Sequence, residues 1–144
     1  MEYGLVELTE FDEIMKTYDI YKECMRDPSE KVFKSRVEKY LAEDDVKIYA
    51  FTNGEETLGV IVASIANSRM EIYGIAVAES ARRHGIARWM IGTLIENNGI
   101  TYVTAEITKE STDFFRKIGF EVRELEMSFN GEVNYAYECR LLLW

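Results

Sequence analysis

The segment from Arg82 to Arg88 constrains the fold most, because it joins a strand-like run to the start of a helix. The apolar run from Ile72 to Val77 comes before it, and a helical pattern opens near Ile86. The unpaired N–H groups and the dipole of a helix start favour an anion in such a loop. Gly85 allows the anion to approach the backbone. Arginines and His84 add positive charge in a chain of net charge −9. The segment therefore predicts a site for a pyrophosphate-bearing ligand.

Length and composition predict one globular domain over residues 1–144. No run approaches the roughly 20 apolar residues of a membrane-spanning helix, and Met1 to Leu8 lacks the pattern of a signal peptide. We therefore expect a cytoplasmic protein with no membrane partner. The excess of 26 carboxylates over 17 basic residues argues against a nucleic-acid partner and is compatible with a cationic acceptor.

The sequence predicts no metal centre, because the spacing of Cys24, Cys139 and His84, the single histidine, does not match that of metal ligands. The two cysteines lie far apart in sequence, and a disulfide between them is not expected. Neither sits at a helix start or in a basic setting that would lower its pKa, so both are interpreted as buried filler rather than acyl carriers.

Apolar periodicity predicts the order β-α-α-β-β-β-α-β-α-β-β, an α/β fold with a mixed sheet and helices on both faces. No repeat or linker interrupts it. The predicted strands are Gly4–Leu8, Val46–Phe51, Leu58–Ile65, Met70–Val77, Tyr102–Ile107, Phe120–Met127 and Val133–Leu142, and the predicted helices run from Phe11 through Tyr21, from Ser29 to Leu41, from Ile86 to Asn97 and from Ser111 to Ile118.

Two motifs placed in this order carry a family resemblance. Arg82-x-x-Gly85-x-Ala87 stands at the strand-to-helix junction, and Phe114 to Phe120, with its Gly119-Phe120 pair, follows the next strand. The chain resembles the GCN5-related N-acetyltransferase (GNAT) family, whose loop pattern is Gln/Arg-x-x-Gly-x-Gly/Ala. The resemblance covers nearly the whole chain. It implies a mixed, splayed sheet of about seven strands with four helices.

The resemblance also implies a cofactor site for acetyl-CoA or another acyl-CoA, in a cleft where the strand at 70–78 and the strand at 102–107 separate. The backbone of Ile75, Ala76 and Val77 would pair with the pantetheine as an added strand would. The loop residues Arg82, Arg83, His84, Gly85, Ile86, Ala87 and Arg88 would surround the pyrophosphate. Thr108 and Phe115 stand where the family often has an asparagine and a tyrosine, next to the cofactor.

Other interpretations of the loop are a solvated turn whose arginines pair with Glu79, a nucleotide P-loop and a dinucleotide fingerprint. A P-loop needs a Gly-Lys-Ser/Thr tripeptide, which this chain lacks. A dinucleotide fingerprint needs two more glycines in the loop.

The resemblance implies direct acyl transfer to an amine in a ternary complex, and Glu71 is the candidate general base. An alkylamine has a pKa of about 10.4, so at neutral pH only about one molecule in two thousand is uncharged. Glu71 stands at the spacing from Gly85 at which lysine-acetylating members carry a glutamate. Strand alternation places Glu71 on one face with Tyr73, Ile75 and Val77 unless a bulge intervenes. Pairing with Arg69 is the structural alternative.

The base role requires apolar surroundings that raise the pKa of Glu71, and Met70, Ile72 and Tyr73 are the candidates for supplying them. The family's usual acid is a tyrosine at the position of Phe115, which has no proton to give. Another hydroxyl such as Tyr73, or water, would replace it. The backbone N–H of Ile75 is the expected donor to the developing oxyanion.

Three functions remain open. The leading one is an N-acetyltransferase for a small-molecule or protein amine. The second is a sensor that binds acyl-CoA without turnover. Phe115 is compatible with this function, because it has no proton to give at the position of the family's usual acid. The third is a partner protein or homodimer that uses an exposed last strand ending in Leu141 to Trp144. Tyr18, Tyr21, Phe33 and Tyr40 are interpreted mostly as core, with some rings facing an acceptor.

Overall fold

The computed structural model describes residues 3–107, 111–129 and 132–142. Within these ranges lie seven strands and five α-helices. The strands are β1 (Gly4–Glu7), β2 (Val46–Thr52), β3 (Thr57–Ala66), β4 (Arg69–Val77), β5 (Tyr102–Ile107), β6 (Glu121–Phe129) and β7 (Glu132–Leu142). The helices are α1 (Phe11–Met15), α2 (Tyr18–Tyr21), α3 (Glu30–Leu41), α4 (Ile86–Asn98) and α5 (Thr112–Lys117). The prediction of a mixed seven-stranded sheet is confirmed.

The first predicted helix is divided in two, so the expected count of four helices is wrong. The break lies at Thr17, whose backbone N–H and hydroxyl both donate to the carbonyl of Ile14, at 3.0 and 2.6 Å. This three-residue closure replaces the four-residue bond of an α-helix, and a hydroxyl that bonds its own backbone favours it. A short 3-10 helix, Lys22–Cys24, follows α2.

Helices α3 and α4 begin and end where the sequence chemistry predicts. Ser29 caps α3, since its hydroxyl accepts the Val32 N–H at 3.2 Å. Gly85 and Gly99 flank α4, and both adopt the left-handed backbone conformation that favours glycine.

The sheet has the strand order β1-β2-β3-β4-β5-β7-β6, and its only parallel pair among the described residues is β4 with β5. Strand β7 pairs with β5 on one side and with β6 on the other. The prediction of the last strand as an exposed sheet edge is therefore wrong, since β7 lies inside the sheet. Trp144 and Leu143, which that prediction included, lie outside the described residues.

Strand β4 contains a β-bulge at Tyr73. In the register with β3, Val62 pairs with Gly74 and Ala63 pairs with Ile72, so Tyr73 is an extra residue. A bulge shifts the alternation of side chains by one position. Odd-numbered residues before the bulge and even-numbered residues after it therefore lie on the same face of the sheet.

Each face of the sheet carries an apolar core. One is formed with α1 to α3 and includes Ile14, Tyr21, Phe33 and Val37 packed on β2 and β3. The other is formed with α4 and α5 and includes Met90, Leu94 and Phe115. The prediction of helices on both faces is confirmed. No helix in the described ranges is long and apolar enough to cross a membrane.

Candidate active site

The loop before α4 presents backbone N–H groups and positive charge. Gly85 has φ +73°, and no heavy atom lies within 4 Å of the position that a Cβ would take there. No side chain caps α4, and its first turn holds no acidic residue. Arg82, Arg83, His84 and Arg88 are exposed, whereas Ile86 and Ala87 are half-buried. The loop thus has the open backbone and the field that an anion needs.

Arg82 is attached to the end of β4, because its Nε donates to the Val77 carbonyl at 3.1 Å. Arg83 has φ +70°, which is uncommon for a residue with a side chain. No ion pair joins Glu79 to an arginine within the part of the chain that the structure describes. The interpretation of this segment as a turn held by Glu79 therefore has no support in the geometry.

Strands β4 and β5 separate next to this loop, as predicted. They pair only from Arg69 to Ile72 on β4 and from Tyr102 to Ala105 on β5. On its other side, β4 remains paired with β3 as far as Val77. The segment from Tyr73 to Val77 therefore turns an unpaired backbone edge toward β5, and this edge includes Ile75, Ala76 and Val77.

A cleft of about 940 Å³ opens at this separation. One wall comes from the sheet, the loop and α5, and the other comes from the 3-10 helix and α3. The lining residues of the first wall are Glu71–Val77, Arg82, Ala105–Ile107, Ser111, Phe115 and Tyr137, and those of the second are Glu23–Arg26 and Arg36.

Glu71 and Tyr73 lie on the face of the sheet that α3 covers. The Tyr73 ring stacks on Tyr40 of α3 with 5.7 Å between ring centroids, and its hydroxyl is hydrogen-bonded with Ser64. Burial raises the pKa of Tyr73, and the negative charge of Glu71 acts in the same direction. The hydroxyl is therefore protonated at neutral pH and is a possible proton donor.

The surroundings of Glu71 differ from those predicted, because its expected apolar neighbours lie on the other face of the sheet. Ile75 and Val77 pack in the core of α4 and α5, on the opposite face from Glu71. Met70 and Ile72 are also buried in that opposite core, since they alternate with Glu71 along the strand. These neighbours thus supply no apolar cover to the carboxylate, which is exposed and lines the cleft.

Arg69 is not the ion-pair partner of Glu71, because its guanidinium lies over the Tyr102 ring, 5.4 Å from the ring centroid. Among the described residues, no basic nitrogen lies within 4.0 Å of the Glu71 carboxylate. The carboxylate is therefore available to a ligand in the cleft.

Behind the bulge lies a group of polar side chains that we call the Tyr21 cluster: Tyr21, Cys24, Arg36 and Tyr40. A Cβ at Gly74 would overlap the Tyr21 hydroxyl, so glycine at 74 makes room for this ring. The hydroxyls of Tyr21 and Tyr40 are hydrogen-bonded to each other. Burial raises the pKa of both tyrosines, and Arg36 opposes this rise.

Cys24 connects this cluster to the backbone of β4. Its thiol donates to the Tyr21 carbonyl at 3.2 Å, and the Ile75 N–H faces the sulfur and lowers the pKa of the thiol. Burial raises the pKa of the Cys24 thiol to about 11, although the Ile75 N–H and Arg36 lower it. Cys24 thus borders the cleft at the amide expected to stabilise an oxyanion, and its interpretation as mere filler was incomplete.

Phe115 lines the cleft as a purely apolar group. Its ring is 3% exposed and packs edge-on against Phe114 and Phe120, with centroids 5.1 and 5.2 Å apart. Ser111, at the start of α5, also lines the cleft. Thr108, predicted next to the cofactor, lies outside the described residues.

On the helix side of the cleft, sequence reasoning expected some rings of the first helices to face an acceptor, but it missed the residues that line the cleft there. The residues of the helix side follow no motif. The one sequence feature that pointed to them was Arg36, a charged residue at an otherwise apolar position of the α3 stripe with Phe33 and Val37.

Cys139, the second cysteine, is a buried free thiol, and burial raises its pKa to about 12. No group of three metal-ligating side chains occurs in the ranges covered by the structure.

Several solved structures share this fold. A GNAT family acetyltransferase from Elizabethkingia anophelis, crystallised with acetyl-CoA bound, is 20% identical with a TM-score of 0.68, and the match covers 98% of each chain. The ribosomal-protein-S18-alanine N-acetyltransferase from Escherichia coli is 17% identical with a TM-score of 0.72, covering 99% of this chain and 94% of that one.

A spermidine/spermine N-acetyltransferase from Vibrio cholerae is 13% identical with a TM-score of 0.68, covering 98% of this chain and 95% of that one. At these identities the likeness establishes the fold alone. No curated protein sequence matches the chain significantly.

The family model described as an acetyltransferase (GNAT) domain matches residues 4–141. This range includes the splayed strands, the loop at Gly85 and every described residue that lines the cleft. The chain therefore belongs to the GNAT acetyltransferase family.

Proposed function

We propose that this protein transfers an acetyl group from acetyl-CoA directly to a primary amine, with both substrates bound together. The observation that carries the proposal is the convergence of three features on one cleft: the loop at Gly85, the unpaired edge of β4 and the carboxylate of Glu71. Acetyl-CoA, which is bound in the Elizabethkingia relative, supplies the activated acyl group.

The residues present fit this co-substrate. An anion at Gly85 meets open space and the uncapped N–H groups of α4. The exposed arginines add positive charge next to it, and the free edge from Tyr73 to Val77 has backbone groups for an extended amide chain.

Three groups of this chain account for the chemistry under the proposal. The Glu71 carboxylate accepts a proton from the bound ammonium, directly or through water, and the neutral amine then attacks the thioester carbonyl carbon. The Ile75 N–H, which faces the Cys24 sulfur, donates to the carbonyl oxygen as that oxygen gains charge. The Tyr73 hydroxyl, which is protonated at neutral pH, is the candidate donor to the leaving thiolate.

A screen of amines that follows thiol release from acetyl-CoA tests the proposal. We expect at least one amine to react, and Glu71→Gln to lower kcat about tenfold or more while the affinity for acetyl-CoA stays within twofold. Glu55→Gln is the matched control, because Glu55 is exposed in the β2–β3 turn and does not line the cleft. Equal losses in both variants would contradict the role of Glu71.

A second candidate function is an acyl-CoA sensor, and the burial of Phe115 favours it, because a carbon-only ring occupies the position of the family's usual acid. Tight binding of acetyl-CoA by calorimetry, with no turnover of any amine, would support the sensor over the enzyme.

A further inference from the structure

The cleft differs in charge from the rest of the molecule. The chain as a whole carries a net charge of −9, whereas the cleft is lined by three glutamates and three arginines and by neither aspartate nor lysine. These residues are Glu23, Glu71, Glu106, Arg26, Arg36 and Arg82. The overall acidity favours a cationic acceptor, but the local balance favours a ligand that carries both signs.

The arginines occupy different parts of the cleft. Arg82 is bonded to the Val77 carbonyl at the start of the α4 loop and so belongs to the anion site there. Arg36 projects from α3 on the opposite wall, and its charge acts on Tyr21, Cys24 and Tyr40. Arg36, Cys24 and Ile75 line the same cleft, and the Cys24 thiol responds to both Arg36 and the Ile75 N–H, so Arg36 stands close to the candidate reaction centre.

The charge of Arg36 has no neutralising partner in the protein as described. No carboxylate of the described residues lies within 4.0 Å of its guanidinium. Its charge acts on two phenols and a thiol, which are protonated at physiological pH, so none of the three neutralises it. A half-buried guanidinium among neutral groups is a favourable site for a ligand carboxylate, which it binds through two parallel N–H bonds.

We infer that the acceptor is an amino-acid-like molecule, in which Arg36 binds the carboxylate while Glu71 faces the amine that is acetylated. This inference rests on the proposed function and narrows its acceptor class. Glu71 and Arg36 line the same cleft from opposite walls and form no ion pair with each other. Each is therefore free to bind one end of a molecule that carries both charges.

Matched pairs of acceptors test the inference: phenylalanine with phenethylamine, methionine with 3-(methylthio)propylamine, and lysine with cadaverine. In assays of the full chain with acetyl-CoA, we expect kcat/KM to be tenfold or more higher for at least one carboxylated member than for its decarboxylated counterpart. A hydrogen bond to a charged group is worth about 1.5–3 kcal/mol, which corresponds to about tenfold to a hundredfold.

Variants of α3 identify the residue responsible. Arg36→Gln should raise KM for the preferred amino acid by about tenfold to a hundredfold and leave the decarboxylated amine within twofold, and Arg36→Lys should retain part of the preference. Lys34→Gln removes the same charge from an exposed position of the same helix that does not line the cleft, and it should change neither substrate. Circular dichroism establishes that each variant is folded.

Failure of this inference is distinguishable from failure of the proposed function. If the decarboxylated amines react as well as the amino acids, or if Arg36→Gln affects both members equally, the inference is overturned and the acetyltransferase stands. If no amine of either kind reacts, the proposed function fails. Calorimetric titration of the amino acids into the CoA-saturated protein then decides: binding lost in Arg36→Gln supports the carboxylate site, and no binding overturns it.

Discussion

Gly74 cannot take even a methyl side chain without displacing a neighbour. The Tyr21 ring occupies the space of its missing side chain, and Tyr21 is itself 1% exposed. The ring is held by its hydrogen bond with Tyr40 and by its contact with Phe33, 5.4 Å between centroids, so it has little room to withdraw. A small residue in the middle of a strand is thus explained by packing rather than by backbone conformation.

We expect Gly74→Ala to destabilise the protein by about 1–3 kcal/mol, because the added methyl group forces Tyr21 or the strand to move. Urea unfolding measures the change. Gly92→Ala in α4 is the control, since nothing lies within 4 Å of the added Cβ, and there alanine should stabilise by about 0.5–1 kcal/mol. A neutral Gly74→Ala would show that the Tyr21 contact is wrong.

Cys24 has a reactivity that depends on pH in a predictable direction. With its pKa raised to about 11, the folded thiol stays neutral at pH 8.5, where a free thiol is about half ionised. Alkylation by iodoacetamide should therefore be on the order of a hundredfold slower in the folded protein than in urea, and should rise about tenfold per pH unit between 8.5 and 10. Mass spectrometry of the Cys24 peptide measures both rates. A rate that levels off below pH 9 would contradict the raised pKa.

The same shift links Cys24 to folding stability. Because the folded pKa lies above the unfolded value, its contribution is fully present below about pH 8.5 and is lost as the pH rises toward 11.

At the scale of elements, the position of α3 decides where Arg36 stands. The helix begins at Ser29, whose hydroxyl accepts the Val32 N–H, and Asp27 accepts the Ser29 N–H at 3.1 Å. Phe33 and Val37 anchor the same helix in the core. The hydrogen bonds of Ser29 and Asp27 therefore fix where α3 begins, and the packing of Phe33 and Val37 fixes how deeply the helix is buried.

Ser29→Ala should lower the free energy of unfolding by about 1 kcal/mol, because it leaves a helix N–H without its cap. Ser35→Ala makes the same substitution at an exposed position inside α3, where alanine is the better helix former, and should not destabilise. Urea unfolding compares the two. Equal effects would mean that the Ser29 cap contributes nothing to stability.

Elements marked by local chemistry were predictable from the sequence, and those set by contacts distant in sequence were not. The predicted helices from Ser29 to Leu41 and from Ile86 to Asn97 agree within one residue with α3 and α4, whose ends carry a Ser29 cap and two flanking glycines. The division at Thr17 and the bulge at Tyr73 depend on which groups satisfy backbone hydrogen bonds, and apolar periodicity carries no information about that choice.

At the scale of the whole molecule, the two walls of the cleft differ in how far sequence reveals them. The β4 part of the sheet wall and the loop come from nearly contiguous chain, Glu71 to Arg82, so one motif located them. The other residues of this wall, Ala105–Ile107, Ser111, Phe115 and Tyr137, come from later segments. The helix wall comes from a segment that is distant from β4 in sequence. Arg36 and Cys24 line the cleft only because folding brings this segment against β4. The place of β7 between β5 and β6 is likewise a pairing between distant segments.

The extra residue in β4 also has a consequence for how this strand is compared with others. On the α3 side lie odd-numbered positions up to Tyr73 and even-numbered positions from Gly74 onward. Regular strand alternation counted from Glu71 therefore assigns the residues after Tyr73 to the wrong face of the sheet. Deleting Tyr73 would restore an uninterrupted alternation, with Ile72 still opposite Ala63 and Gly74 still opposite Val62.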